Sequence, residues 1–159
     1  MIDPTLAHPR RLHEVVPMSL LEKAITIAVE AHQGKKDKAG QPYILHPLRV
    51  MFRVGTEDER IVAVLHDVVE DHGDVWPVER LRQNGFPQHI LDALDCVTKR
   101  EGESYEQFVE RSASNPVALK VKLADLEDNM DVRRLSEVTE KGRERLNRYL
   151  TAYRRLTGC

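Results

Sequence analysis

The segment VLHDVVEDH, Val64 to His72, decides how the rest of the chain is read. It closes a run that Thr56 and Glu59 open with the spacing of a capping box and that continues through Ile61, Val62, Val64, Leu65, Val68 and Val69. Apolar residues surround such a helix nearly completely, so it belongs at the centre of the fold. Into it the sequence sets His66, Asp67, Glu70 and Asp71. Residues four apart stack on a helix, which puts His66 over Glu70 and Asp67 over Asp71. Unpaired charges beside an apolar core are costly. A divalent metal is the simplest compensation, because imidazole nitrogen and carboxylate oxygen are ligands that such ions accept. Taken alone, the His-Asp pair reads more readily as a partly exposed helix end at which His66 and Glu70 hydrogen-bond each other.

Outward from this helix the pattern stays helical. Apolar residues recur at three- and four-residue spacing, and no two-residue alternation is long enough for a sheet. Ser19 and Glu22 form a second capping box, opening a helix through Leu20, Leu21, Ala24, Ile25, Ala28 and Val29 that Gly34 ends. GKKDKAGQPY, residues 34–43, reads as an ordered, lysine-rich surface loop. Pro47 fits the first position of a helix through Leu48, Val50, Met51 and Val54, where its missing N–H costs nothing. Further helices are expected from Pro77 to about Gln83, from Pro87 to Val97, from Ser104 to about Ala113, and from Asn115 and Pro116 through Leu126. A last amphipathic helix, about Lys141 to Leu156, puts Leu146, Tyr149, Leu150 and Tyr153 on one face.

The length of 159 residues suits one domain spanning residues 1–159, with residues 1–16, marked by Pro4 and Pro9, as an irregular N-terminal extension. Hydrophobic residues at 41% and charged residues at 31% exclude intrinsic disorder. No apolar stretch approaches a membrane span or a signal-peptide core, and Cys96 and Cys159 make no disulfide framework or thiolate zinc site. A cytoplasmic setting follows, with no membrane partner. A net charge of -2 removes the basic excess of a general nucleic-acid binder. Yet residues 132–159 carry eight Lys or Arg against three Asp or Glu, a basic end able to attract an anion. The oligomeric state is left open by the sequence.

Two more segments bear on the metal. YILHPL places His46 at the start of a helix, and KVKLADLEDNM places Asp125 between Leu123 and Leu126 on a stripe that should face the core. An aspartate there must be paired or bound to metal. Lys122, three residues earlier, shares its helix face.

His46, His66-Asp67 and the distant Asp125 follow the order of the HD-domain metal-dependent phosphohydrolases. KAGQPYILHPLRV, LHDVVED, CVTK and VKLADLEDN, in that sequence, resemble the hydrolase domain of RelA/SpoT-type enzymes and the stand-alone small alarmone hydrolases, over about residues 20–150. The resemblance implies an all-α, compact single-domain HD-type helical bundle. It implies one Mn²⁺ held by His46, His66, Asp67 and Asp125, although these residue types by themselves also suit Fe²⁺ or Zn²⁺. It gives Glu70 and Asp71 to the attacking water and the leaving group, Asn129 to the nucleotide sugar or phosphate, and Lys99 to the phosphates; Lys38, by its place in the loop before His46, and Lys122, by its helix face, are further phosphate candidates. The implied reaction removes pyrophosphate from the 3′ position of guanosine 3′,5′-bis(diphosphate), ppGpp. With the chain ending at Cys159, no synthetase segment and no alarmone synthesis are expected.

Two positions depart from the resemblance. Where those enzymes carry an Arg-Lys pair whose arginine packs over guanine, this chain has Asp37-Lys38, and where they commonly carry a threonine near the ribose it has Val132. Both changes concern base and sugar recognition, and neither touches the metal set. Two other readings therefore stand beside ppGpp hydrolysis: an HD-type hydrolase of another nucleotide or pyrophosphate compound, and a non-catalytic nucleotide-binding metal module. Glu70 and Asp71 argue against the module, since binding alone does not need two extra, mutually repelling acids.

Overall fold

A computed structural model describes residues 17–158. The irregular extension expected over residues 1–16, and Cys159, lie outside the described residues. Within them the regular elements are α1 (Leu20–Ala31), α2 (Leu45–Phe52), α3 (Glu57–His72), α4 (Val78–Gln83), α5 (Gln88–Val97), α6 (Tyr105–Ala113), α7 (Pro116–Asn129) and α8 (Glu140–Thr157), with a 3-10 turn at Val132–Arg134. The fold is all-α, as expected, and the described residues contain no strand beyond an isolated bridge between Lys36 and Pro42.

The helix starts follow their local chemistry. At α1, α3 and α6 the hydroxyls of Ser19, Thr56 and Ser104 each accept the N–H three residues on, while the side chains of Glu22, Glu59 and Gln107 accept the cap N–H in return. Asn115 caps α7 by accepting from Val117 and Ala118, with Pro116 in the first turn. Pro47 is displaced from its expected place. Helix α2 begins two residues earlier, at Leu45, so the proline is its third residue. The shift costs no hydrogen bond, because N–H groups in a first helical turn have no intrahelical acceptor.

Helix α3 is central, with Ile61, Val62, Ala63, Val64, Leu65 and Val68 all buried. Around it pack α1 with Ala24, Ile27 and Ala28, α2 with Val50 and Met51, α5 with Ile90, Leu91 and Leu94, and α7 with Ala118 and Val121. A smaller cluster of Val109, Leu126 and Ala152 seats α8 against α6 and α7, flanked by Tyr105, Tyr149, Tyr153 and Leu156. Leu150 does not join it. It is 41% exposed, because the seam follows Tyr149, Ala152, Tyr153 and Leu156 and leaves Leu150 just past its edge.

Between α1 and α2 the lysine-rich stretch is an ordered loop, as read. The Asp37 carboxylate accepts the N–H groups of Ala39 and Gln41 at 2.9 Å each, and Gly40 takes φ +76°, which a side chain would resist. This loop brings Lys35, Lys36 and Lys38 over the ends of α2, α3 and α7, where the polar residues of those helices meet.

Candidate functional site

Helices α2, α3 and α7 each deliver a donor to one point. His46 Nε2 lies 3.3 Å from Asp125 Oδ1 and 3.5 Å from Asp67 Oδ2, and His66 Nε2 lies 3.3 Å from Asp67 Oδ2 and 3.7 Å from Asp125 Oδ1. Metal–ligand bonds of about 2.0–2.2 Å in a tetrahedron separate ligands by roughly 3.3–3.6 Å. His46, His66 and Asp125, all buried, stand within reach of one cation, and Asp67 Oδ2 approaches both imidazoles at similar distances.

The rings are oriented for it. His66 donates Nδ1–H to the Ala63 carbonyl at 2.7 Å, and its buried Nε2 has no hydrogen-bond partner among the described residues. That turns Nε2 toward Asp67 and Asp125, which, against burial, raise the His66 pKa. His46 Nδ1 meets Asp128 Oδ2 at 2.8 Å, freeing its Nε2 in the same direction. Burial disfavours charge on His46, yet Asp125 and Asp128 outweigh it and raise the imidazole to about 9. Asp125 is likewise held well below the usual carboxylate range, against its burial, by Lys122 and the two histidines. The position between the rings attracts positive charge, which a proton or a divalent cation can supply.

A further layer holds the donors. Asp128, fully buried, takes two hydrogen bonds from Arg49, at 2.8 and 3.0 Å, and one from Arg134 at 3.3 Å. Against burial, His46 and Arg49 hold its carboxyl well below the ordinary range. Tyr43 donates its hydroxyl to Asp67. Lys122 Nζ lies 3.0 Å from Asp125 Oδ2 and 4.6 Å above the Phe108 ring, and Asn129 donates to Asp125 Oδ1 at 2.5 Å.

The four donors, with Tyr43, Lys122 and Asn129, line a cleft of about 520 Å³, large enough for a nucleotide-sized ligand. Glu70 and Asp71 stand at its side. Glu70 accepts the Lys99 backbone N–H at 3.0 Å, and burial raises its pKa; Asp71 is paired with Lys35. No hydrogen bond joins His66 to Glu70, so the helix-end pairing that the His-Asp doublet alone allowed does not form. The cleft lining is also cationic, with Lys36, Lys38, Lys99, Arg145 and Arg148. Burial, with the fields of Arg145, Lys141 and Arg148, lowers the pKa of Lys38.

Every expected site residue lines this cleft, but not all stand free to meet a ligand. Lys122 and Asn129 are engaged by Asp125, and Lys99 contributes its backbone to Glu70 as well as its charge to the lining. Asp37 is tied into its own loop and to Arg134 at 3.5 Å, and Val132 is 46% exposed and outside the cleft lining. The sequence reading missed Tyr43, Asp128, Arg145 and Tyr149. Asp128 carried one readable signal, since three residues after Asp125 it shares that buried face of α7. His32, the C-terminal cap of α1, is buried, its imidazole lowered by burial to about 4, and packs against Tyr43 and His72.

No family model matches the chain. Among curated proteins it is 30% identical over 154 residues to the bifunctional (p)ppGpp synthase/hydrolase RelA of Mycobacterium tuberculosis, a match covering 91% of this chain and 20% of that protein. Such a match fits a RelA/SpoT-related domain. Wherever it begins, a match over 91% of 159 residues takes in His46 through Asp125. The chain is also 30% identical over 122 residues to the guanosine-3′,5′-bis(diphosphate) 3′-pyrophosphohydrolase of Aquifex aeolicus, covering 69% of this chain and 17% of that one. To a GTP pyrophosphokinase of Streptomyces coelicolor it is 32% identical over 159 residues, covering 90% and 18%. It spans about a fifth of the length of the curated relatives it matches.

Proposed function

We propose that this chain is an HD-type, metal-dependent phosphohydrolase that releases pyrophosphate from the 3′ position of ppGpp. The observation that carries the reading is the convergence of His46, His66, Asp67 and Asp125 at ligand spacing, with the buried His66 Nε2 turned into the gap. These residues would hold the cation, Mn²⁺ by resemblance. When bound, such an ion lowers the pKa of a water and offsets phosphoryl charge.

The other residues supply the rest. Glu70, with its pKa raised by burial, accepts the proton of the attacking water, oriented by the Lys99 N–H on its other flank. The water oxygen bonds to the phosphorus attached to the ribose 3′ oxygen, and that phosphorus–oxygen bond breaks as the 3′ oxygen takes up a proton from solvent, leaving GDP and pyrophosphate. Asp71, already neutralised by Lys35, serves the leaving group as part of an acid–lysine pair. Lys36, Lys38, Lys99, Arg145 and Arg148 face the polyanion, placing phosphates toward the cationic lining and the reacting bond toward the acids.

The relatives' names include both a hydrolase and pyrophosphokinases. The hydrolase reading is preferred because the cleft puts a proton acceptor beside an imidazole–carboxylate metal set. One observation favours a second reading within the same chemistry. Asp37 stands where the resembling enzymes hold a guanine-packing arginine, and its carboxylate is used up by the loop, so another nucleotide or pyrophosphate compound is the alternative substrate.

The test is a panel incubated with Mn²⁺-supplied protein: ppGpp, pppGpp, other nucleotides, and GTP with ATP. Pyrophosphate and GDP from ppGpp are expected. Turnover of another compound alone would keep the site and change the substrate, whereas formation of ppGpp from GTP would overturn the hydrolase reading.

A further inference from the structure

Helix α3 ends in a second cluster, of which the proposed hydrolysis uses Asp71 but neither histidine. His32, the C-terminal cap of α1, is 2% exposed, and neither of its ring nitrogens meets a hydrogen-bond partner among the described residues. The imidazole of His72, last residue of α3, packs edge-on to it with ring centroids 5.3 Å apart, and its buried Nε2 is equally unpartnered among those residues. Asp71 stands beside them, and one ligand atom from each of the three lies within 4.8 Å of the others. Buried polar atoms are seldom left unsatisfied, and three such nitrogens on two adjacent rings beside a carboxylate require an explanation.

A water molecule could satisfy one or two of these atoms. It would not account for the chemistry of the set. Two imidazoles and one carboxylate make a three-ligand site that leaves a fourth position open, a combination suited to borderline divalent ions. Asp71 is half-exposed and paired with Lys35, whose own side chain is equally accessible, so Lys35 can yield the carboxylate to a cation without stranding a buried charge.

We propose that His32, Asp71 and His72 form a second divalent transition-metal site, of Zn²⁺ or Co²⁺ type, clamping the end of α1 to the end of α3. The site shares no ligand with the His46, His66, Asp67 and Asp125 set. Tyr43 stands between the two, its ring against His32 and its hydroxyl on Asp67. The clamp also has a consequence for Asp71. Occupancy takes this carboxylate from Lys35 and fixes it beside the cleft.

Equilibrium dialysis of the full chain against Zn²⁺, with bound metal quantified, tests the site. The expected result is that His72→Ala lowers the bound metal by one equivalent and that His66→Ala separately removes a different equivalent. His72→Ala binding as much metal as the parent chain overturns the proposal, whatever His66→Ala does. Loss with His72→Ala alone sustains it and counts instead against the first centre. A second variant guards against misfolding: His72→Cys loaded with Co²⁺ should show a thiolate-to-cobalt charge-transfer band. A folded His72→Cys protein without that band overturns the proposal too.

Discussion

Asp128 grips His46 through its Nδ1 at 2.8 Å, from a position on α7 that solvent does not reach. The ring could otherwise rotate. With the same carboxylate fastened by Arg49 and Arg134, α2 is tied to α7 at the point where both offer donors to the cleft. Orientation of a metal ligand by a carboxylate on its other nitrogen fixes the tautomer as well as the angle.

Asp128→Ala should therefore act on both binding and stability. Metal affinity is expected to fall about 10–100-fold, the usual effect of losing such a partner. Stability should drop by about 3–5 kcal/mol, since partly buried arginines are left without their acid. Asp128→Asn, which keeps an acceptor, should lose less of both. Calorimetric metal titration and urea unfolding measure the two effects.

Lys122 and Asp125 form a buried pair on one face of α7. Lys122→Met should destabilise the metal-free protein by about 3–5 kcal/mol, because Asp125 keeps its burial and loses its cation. Saturating Mn²⁺ should recover part of that loss by supplying charge at the other carboxylate oxygen. Urea unfolding of parent and variant, each with and without the ion, gives the comparison. A loss that is the same in both conditions would show that the ion does not reach Asp125.

Tyr43→Phe removes one hydrogen bond from Asp67 and little volume. The carboxylate then has no fixed rotation about its bond, and metal affinity should weaken by several-fold, about 1 kcal/mol. Unfolding free energy in the absence of metal should change much less. The same titration reads it.

The loop carrying Lys99 is held by Arg111, which donates to both carboxylate oxygens of Glu103 at 2.7 Å and to the carbonyls of Asp95 and Thr98. Hydrogen bonds from Arg111 lower the Glu103 carboxyl to about 2 from its ordinary 4.5. A depressed acid stabilises the fold above its unfolded value and loses that contribution as pH falls through the folded one. The stability gap between the parent and Glu103→Gln should thus be constant above about pH 5 and shrink toward pH 2. At neutral pH a gap of about 1–3 kcal/mol is expected for charge-assisted bonds. Urea melts at a series of pH values check its size and sign.

How much of this was legible depended on distance along the chain. The capping boxes at Ser19, Thr56 and Ser104 work within four residues, so the starts of α1, α3 and α6 could be read directly. Helix α2 has no side-chain cap hydrogen bond at Ile44, and proline punctuation alone put its start two residues late. The centrality of α3 followed from its apolar circumference. The donor set was readable because burial makes Asp125 anomalous, and its order along the chain made the resemblance specific. Tyr43 and Asp128 were not, since their roles come from packing that brings α2, α3 and α7 together. His32 and His72, forty residues apart in the sequence, meet only because α1 packs against α3.

The central claim is that Glu70 and the four-donor centre hydrolyse ppGpp. It is tested most directly by the initial rate of pyrophosphate release from ppGpp in Mn²⁺-loaded protein and in Glu70→Gln with equal bound metal. The account predicts steady release of pyrophosphate and GDP by the parent chain and a rate about 10²–10⁴-fold lower in the variant. A parent chain that binds Mn²⁺ yet releases no pyrophosphate, or a variant that matches it, would contradict the account.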